Sequence, residues 1–406
     1  MTFNDLLSDN GLFCDGDWIE KKDQDVNGLV RLIQLADIGI CEFKDKSNKY
    51  ITEQTAQNLN CTYLKKGDIL IARLPEPLGR ACIFPYDGKF ITAVDVAILR
   101  PANDKVNNQY IMYLINSPQF RKQIKKFESG TTRKRISRKN LDRIDFKIPD
   151  YQDQHRIVTR IEELFSQLDS GIETLKKTKE QLKVYRQAVL KEAFESASSS
   201  NSKNLTINDL LTKKKKGMTT GSFGTMLKKH EHQSSGVPVL GIENIGKDGF
   251  VDGNKIFVSE EKAKELSAFK VDTDDLIISR SGTVGEICIV PPHMKNALLS
   301  TNLMRISLDY DVIRADYFMY LFKSKGVVID QVKELCKGST RMFLNQTILK
   351  QIIFPVPTLK IQAKIIETIE SRLSVCDSIE KTIDTALQEA EALRQSILKQ
   401  AFEGGL

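Results

Sequence analysis

The chain lacks the signatures of most catalysts. It has no Gly-x-x-x-x-Gly-Lys-Ser/Thr loop to cradle a nucleotide triphosphate. Its four histidines, His155, His230, His232 and His293, form no His-Glu-x-x-His pair. His230 and His232 could supply half a metal site, but no carboxylate or cysteine stands at suitable spacing, so they read as solvent-exposed imidazoles. No glycine-rich strand–turn–helix is present for a methyl-donor nucleotide. Val290-Pro-Pro-His293 superficially matches the Asp/Asn-Pro-Pro-aromatic motif of amino-methyltransferases. That motif needs an acceptor for the target amine and an aromatic ring to stack the flipped base. Val290 offers no acceptor and His293 is a poor stacking partner, so the segment reads as a turn. The seven cysteines contain no Cys-x-x-Cys pair, which argues against a zinc ribbon, and their scatter suits a reducing compartment. No basic segment followed by an apolar run opens the chain, and no stretch approaches the ~18 apolar residues of a membrane span. The expectation is a cytoplasmic protein with no membrane partner.

What is present is a repeat. Shifting the 406-residue sequence by 208 positions aligns Gly130–Glu195 with Gly338–Glu403 without a gap, with 22 identities in 66 positions. Unrelated sequences of average composition would match at roughly one position in sixteen. The strongest blocks are Arg186-Gln-Ala-Val-Leu-Lys-Glu-Ala-Phe-Glu195 and Arg394-Gln-Ser-Ile-Leu-Lys-Gln-Ala-Phe-Glu403. Weaker matches run upstream. Gly67–Arg73 resembles Asp274–Arg280, Tyr110–Leu114 resembles Tyr317–Leu321, and Thr2–Leu7 resembles Thr206–Leu211. A period this long means two domain-sized copies rather than a solenoid.

Ser196–Lys203 is a small polar linker between the copies, and Pro149 and Pro357 divide each copy in two. The boundaries so drawn are 1–150, 151–197, 198–357 and 358–406. Before each proline, strand-like runs (Ile69–Ala72, Ala81–Phe84, Leu276–Ser279, Ile287–Val290) alternate with helical stretches at Asn108–Ser117 and Ala315–Lys323. After each proline the pattern is purely helical. Ile161, Leu168, Leu175, Leu182 and Val189 recur every seven residues, as do Ile369, Cys376, Ile383, Ala390 and Ile397. Ile157, Leu164 and Tyr185 in one copy, and Ile365, Ile379, Ala386 and Leu393 in the other, supply a second seam. Such a repeat favours supercoiled packing against another helix. An ordinary core hairpin is the plainer alternative. Related halves in one chain can pair with pseudo-twofold symmetry, which predicts an antiparallel coiled coil of the two long helices. The expected class is α+β.

Net charge is +7, and the basic residues cluster. From Arg121 to Lys147 there are eleven Lys/Arg against three Asp/Glu, centred on Gly130-Thr131-Thr132-Arg133-Lys134-Arg135. The second copy has Gly338-Ser339-Thr340-Arg341 at the equivalent place. Hydroxyls and backbone N–H groups suit phosphate oxygens, and arginine can bond a phosphate or a guanine edge through two donors. The alternative is a solvated basic loop. Arg73 and Arg80, matched in part by Arg280-Ser281-Gly282-Thr283, form a second candidate contact where a strand-like run ends in arginine. The alternative there is a structural arginine capping a strand end. The Lys213–Lys216 run and Lys228–His232 occur in the second copy only and read more readily as solvated loops.

Several repeated blocks resemble the specificity subunit of type I restriction–modification systems. They are Leu141–Pro149 running into Gln154-His-Arg-Ile157, Gln346–Leu349 with Ile352–Gln362, the closing Leu-Lys-x-Ala-Phe-Glu at Leu190 and Leu398, and Lys66–Arg73. The resemblance implies two target-recognition domains, each reading half of a bipartite site in double-stranded DNA. It also implies helices that set the gap between half-sites and dock two methyltransferase subunits, and restriction–translocase subunits that complete the complex. No catalytic residue or bound cofactor is then expected in this chain. S-adenosylmethionine, ATP and Mg would sit on the partners. A scaffold that never touches DNA is the competing reading, and an enzyme is a third.

Overall fold

The computed structural model describes residues 1–75, 77–198, 202–221, 226–246, 249–280, 285–335 and 344–405. The chain divides into two compact units. The first is Met1–Leu175 with Asp384–Leu406, and the second is Lys176–Ile383.

In the first unit, β1 (Leu12–Asp15), β4 (Ile69–Ala72), β5 (Ala81–Ile83) and β7 (Val96–Arg100) form an antiparallel sheet in the order β1-β7-β4-β5. Strands β2 (Val30–Ile33), β3 (Lys49–Ile51) and β6 (Phe90–Thr92) form a second sheet, β3-β2-β6, in which β2 and β6 are parallel. Every residue of β4 is buried, because both faces of its sheet are covered. One face packs on α2 (Asn108–Asn116) and α3 (Pro118–Lys126), and the other on Ile33, Ile38, Leu64 and Phe84. A continuous apolar run such as Ile69–Ala72 is what that environment selects. Two short helices, α1 (Glu53–Asn58) and α4 (Arg138–Leu141), complete the globular part, and the long helix α5 (Tyr151–Ser198) leaves it.

The second unit repeats this plan. Strands β9 (Met218–Thr220), β14 (Leu276–Ser279), β15 (Ile287–Ile289) and β17 (Leu303–Ile306) pair in the order β15-β14-β17-β9. Strands β10 (Val237–Leu240), β13 (Ile256–Val258) and β16 (Leu298–Leu299) give β13-β10-β16, again with one parallel pair. It adds a hairpin, β11 (Ile245–Gly246) with β12 (Gly249–Phe250), and the pair β8 (Lys203–Thr206) with β18 (Ile353–Val356). In the first unit the counterpart of that last pair is two reciprocal hydrogen bonds: Met1 N donates to Phe146 O (3.0 Å) and Phe146 N to Met1 O (3.1 Å). Helices α6 (Ile207–Leu210), α7 (Glu260–Glu265), α8 (Ala315–Lys323), α9 (Asp330–Leu335) and α10 (Gln346–Leu349) precede the second long helix, α11 (Leu359–Phe402). The turn before β4 uses Gly67 at φ +91°, and the matching turn before β14 uses Asp274 at φ +66°. Both copies thus need a left-handed residue there, and glycine and aspartate tolerate it.

Each long helix starts from a buried glutamine. Gln154 accepts from Asn107 N (2.9 Å) and donates to the carbonyls of Lys105 (3.1 Å) and Pro149 (2.9 Å). Gln362 accepts from Arg314 N (2.9 Å) and donates to the carbonyls of Val312 (3.0 Å) and Pro357 (2.8 Å). Both side chains are fully buried, so their hydrogen bonds fix the direction in which the helix leaves.

In each unit the helices run antiparallel. In the first unit Arg394 pairs with Asp169. In the second, Arg186 reaches Asp377 (2.6 Å) and Glu380 (2.9 Å), and Arg372 reaches Glu192 (2.6 Å). Burial would lower the pKa of Arg186, but the two carboxylates outweigh it and raise it. The first heptad seam is buried at Ile161, Leu182, Val189, Ile369, Cys376, Ile383, Ala390 and Ile397, and half-buried at Leu168 and Leu175.

The second seam departs from expectation. Tyr185, Ile379 and Leu393 are exposed, and Ile157, Leu164, Ile365 and Ala386 are only half-buried. Two helices need one contact stripe, so the other remains at the surface. Helix α5 also extends to Ser198, into the segment read as linker.

The closing block of each copy completes the core of a unit built on the other copy's globular part. Phe194 is fully buried in the second unit with its ring against Tyr317 (centroids 5.4 Å apart). Phe402 packs on Tyr110 in the first (5.2 Å), beside buried Leu398 and Ala401.

Candidate nucleic-acid interface

In the first unit β1 and β4 both pair antiparallel with β7, so the end of β1 and the end of β4 lie at the same edge. Asp15 ends β1 and Arg73 follows β4. Arg73 N donates to Asp95 O (2.9 Å), and its carbonyl accepts from Ile136 N (3.1 Å). The second bond pins the basic loop to this edge. Ser129 and Arg135 close that loop by reciprocal backbone bonds of 2.9 and 2.8 Å. Gly130 turns it at φ +95°, and a Cβ there would stand 2.5 Å from Arg133 O. Thr131, Thr132, Arg133, Lys134 and Arg135 are all exposed. Lys134 pairs with Glu128, whereas Arg133 and Arg135 make no ion pair among the described residues. Ser137 caps α4 by accepting from Asn140 N (3.1 Å). This sets Arg138 over the Phe13 ring at 5.6 Å and brings it to 3.6 Å from Asp15. Asp15 also lies 3.3 Å from Arg73, whose guanidinium donates to Val94 O as well.

Two candidate arginines are turned inward. The Arg80 side chain donates to the carbonyls of Ile38 (2.6 Å), Leu35 (2.8 Å), Leu74 (3.1 Å) and Pro77 (3.2 Å). It is 8% exposed, so it ties loops together rather than presenting donors to a duplex. Arg280 is the counterpart of Arg73. Its N donates to Asn302 O and its carbonyl accepts from Leu344 N (3.1 Å). Its guanidinium, however, donates to the carbonyls of Leu344 (3.4 Å) and Thr301 (3.2 Å), and burial lowers its pKa. Both fit the structural alternative. Arg121, inside the basic cluster, is likewise spent on Leu78 O and Asn116, and burial pushes it down to about 10. Ser281, Thr283, Ser339, Thr340 and Arg341 lie outside the described residues.

In the second unit, Gln346 opens α10 and donates through Nε2 to Thr220 Oγ1 at the end of β9 (3.1 Å). Lys213–Lys216 are exposed, and Lys215 reaches Asp275 (3.1 Å). His230 is exposed and His232 half-buried. Pro292–Met294 is a 3-10 turn, and His293 pairs with Asp252 (2.7 Å). Asp15 and Thr220 escaped the sequence reading, and Arg138 and Gln346 entered it only within a basic cluster and a repeated block, because each acts through a partner distant in sequence. Trp18, the chain's one tryptophan, is 70% exposed three residues past Asp15 and was also missed.

The type I restriction modification DNA specificity domain family matches residues 16–184 and again 200–389. The chain belongs to that family. One domain falls on each repeat, so the duplication seen in the sequence is a duplication of this domain. Membership in a DNA specificity family favours the DNA-recognition reading over the scaffold that never touches DNA. The specificity subunit of the type I restriction enzyme EcoBI from Escherichia coli is 26% identical over 325 residues, 75% of this chain and 66% of that protein. The EcoKI subunit from Escherichia coli K12 is 26% identical over 324 residues, 76% of this chain and 68% of that protein. The matches thus span about two thirds of these relatives. A chain from a type I system, solved to explain complex assembly and conformational transition, superposes with a TM-score of 0.70 at 15% identity, covering 98% of this chain and 99% of that one. It supports the fold. No helix of the described residues is long and apolar enough to cross a membrane.

Proposed function

We propose that this specificity chain is the DNA-reading subunit of a cytoplasmic type I restriction–modification complex, in which each globular part reads one half of a bipartite site in double-stranded DNA. The observation that carries this is the repetition of one sheet topology with different side chains at the strand ends and loops. Equal scaffolds with unequal surfaces suit two readers of different half-sites. In the first unit, Arg73 and the exposed loop Thr131–Arg135 are the proposed DNA contacts, Arg133 and Arg135 foremost. Ser281, Thr283, Ser339, Thr340 and Arg341 are their proposed counterparts in the second.

The long helices set the gap between half-sites and carry two methyltransferase subunits. Apolar side chains left at their surface suit such docking: Tyr185 and Ile379 of the second seam, with Val184 and Val375 beside them, are exposed in the second unit. In the first, a cleft of about 560 Å³ is lined by Leu168, Gly171, Leu175, Ala386 and Leu393. Methyl transfer, ATP use and cleavage belong to partner subunits, which hold S-adenosylmethionine, ATP and Mg. Genome-wide mapping of methylated adenine, with and without this gene, tests the proposal. A bipartite motif that disappears with the gene is expected. A methylation pattern indifferent to the gene would overturn it.

A further inference from the structure

The two units carry different side chains at one shared place. Ile69 and Leu276 begin β4 and β14 and oppose Leu99 and Ile306. Two residues before those, Ala97 opposes Asp15 and Met304 opposes Thr220. Thr220 therefore stands where Asp15 stands. Arg138 and Gln346 are in turn the first residues of α4 and α10, after the caps Ser137 and Asn345. Each globular part thus offers one long polar side chain on a short helix, beside a shorter one at the end of an equivalent strand, β1 or β9. In the first unit the pair is guanidinium and carboxylate, and in the second it is amide and hydroxyl. The two members have changed together.

Neither long side chain is consumed by its partner. The Arg138 side chain remains 36% exposed: its buried Nε faces Asp15 at 3.6 Å, beyond hydrogen-bond distance, and no hydrogen bond ties down its two terminal nitrogens among the described residues. Arg80, by contrast, spends its donors on four carbonyls. Gln346 gives Nε2 to Thr220 and is half-buried. Arginine bonds guanine O6 and N7 through two donors, and glutamine bonds adenine N6 and N7 through its amide. The geometry points to Arg138 and Gln346 as base-reading residues, one in each unit, with Arg138 selecting guanine, Gln346 selecting adenine, and Asp15 and Thr220 positioning them. This rests on the DNA-reading function proposed above.

The test selects duplexes randomised through both half-sites on the purified complex of this chain with its methyltransferase partner, then sequences the bound pool. Arg138→Gln moves one position of one half-site from guanine toward adenine, with a change in preference of roughly 5- to 150-fold. Gln346→Arg makes the converse change in the other half-site. Asp15→Asn weakens the guanine preference at the position that Arg138→Gln alters. Melting curves that match the wild type establish folding, and if one variant binds no DNA the reciprocal variant decides. Unchanged preference at every position, or a uniform loss of affinity such as a phosphate contact gives, overturns the assignment. A wild-type complex that selects no bipartite sequence counts against the proposed function instead.

Discussion

Gln154 and Gln362 each satisfy three backbone groups at the point where a sheet-bearing fold gives way to a helix. Replacing either by alanine strands buried donors and acceptors, at a cost of about 3 kcal/mol. Urea denaturation of Gln154→Ala reads that loss, and a change below about 1 kcal/mol would show the amide is dispensable. Asp17 makes a prediction about pH. Burial pushes its carboxyl up from 3.8 to about 6, against the opposing bond from Thr62 N. Between those values the folded chain holds a proton that the unfolded chain has released. Stability from this group is therefore complete below about pH 4 and is lost as the pH rises to about 6. Melting curves across that window should flatten in Asp17→Asn, and an unaltered slope would contradict the assignment. On the exposed loop, Arg133→Ala should weaken DNA binding and make its dependence on log salt shallower by about 0.9 for the phosphate lost. The same slope in both proteins would remove Arg133 from the contacts.

At the scale of elements, the closing Leu-Lys-x-Ala-Phe-Glu blocks act as plugs. Phe194 is fully buried beside Tyr317, so Phe194→Ala should cost about 3–5 kcal/mol. Calorimetry that finds the second unit melting as in the wild type would contradict this packing. Much of this level was legible in the sequence. The runs Ile69–Ala72 and Leu276–Ser279 are strands, and Asn108–Asn116 and Ala315–Lys323 are helices, because periodicity and burial coincide there. The first heptad seam was legible for the same reason. The second seam was not, since the pattern marks an apolar stripe without saying what covers it, and Tyr185 and Leu393 stand at the surface. Arg80 and Arg280 misled for a related reason. A strand end followed by arginine looks alike whether the guanidinium points to solvent or to carbonyls of loops far away in sequence. The pairs Asp15–Arg138 and Thr220–Gln346 were illegible because over a hundred residues separate their members.

At the scale of the whole molecule, labour is divided between what the copies share and what they do not. The shared parts are sheet topology, glutamine anchors and helix seams. The unshared parts are the side chains at strand ends and in basic loops, where two DNA sequences would be distinguished. The most direct test exchanges residues 1–150 for the corresponding domain of another specificity subunit and maps methylated adenine across the genome. One half of the bipartite motif should change while the other half and the gap stay as they were. A motif altered in both halves, or in neither, would contradict the two-reader account.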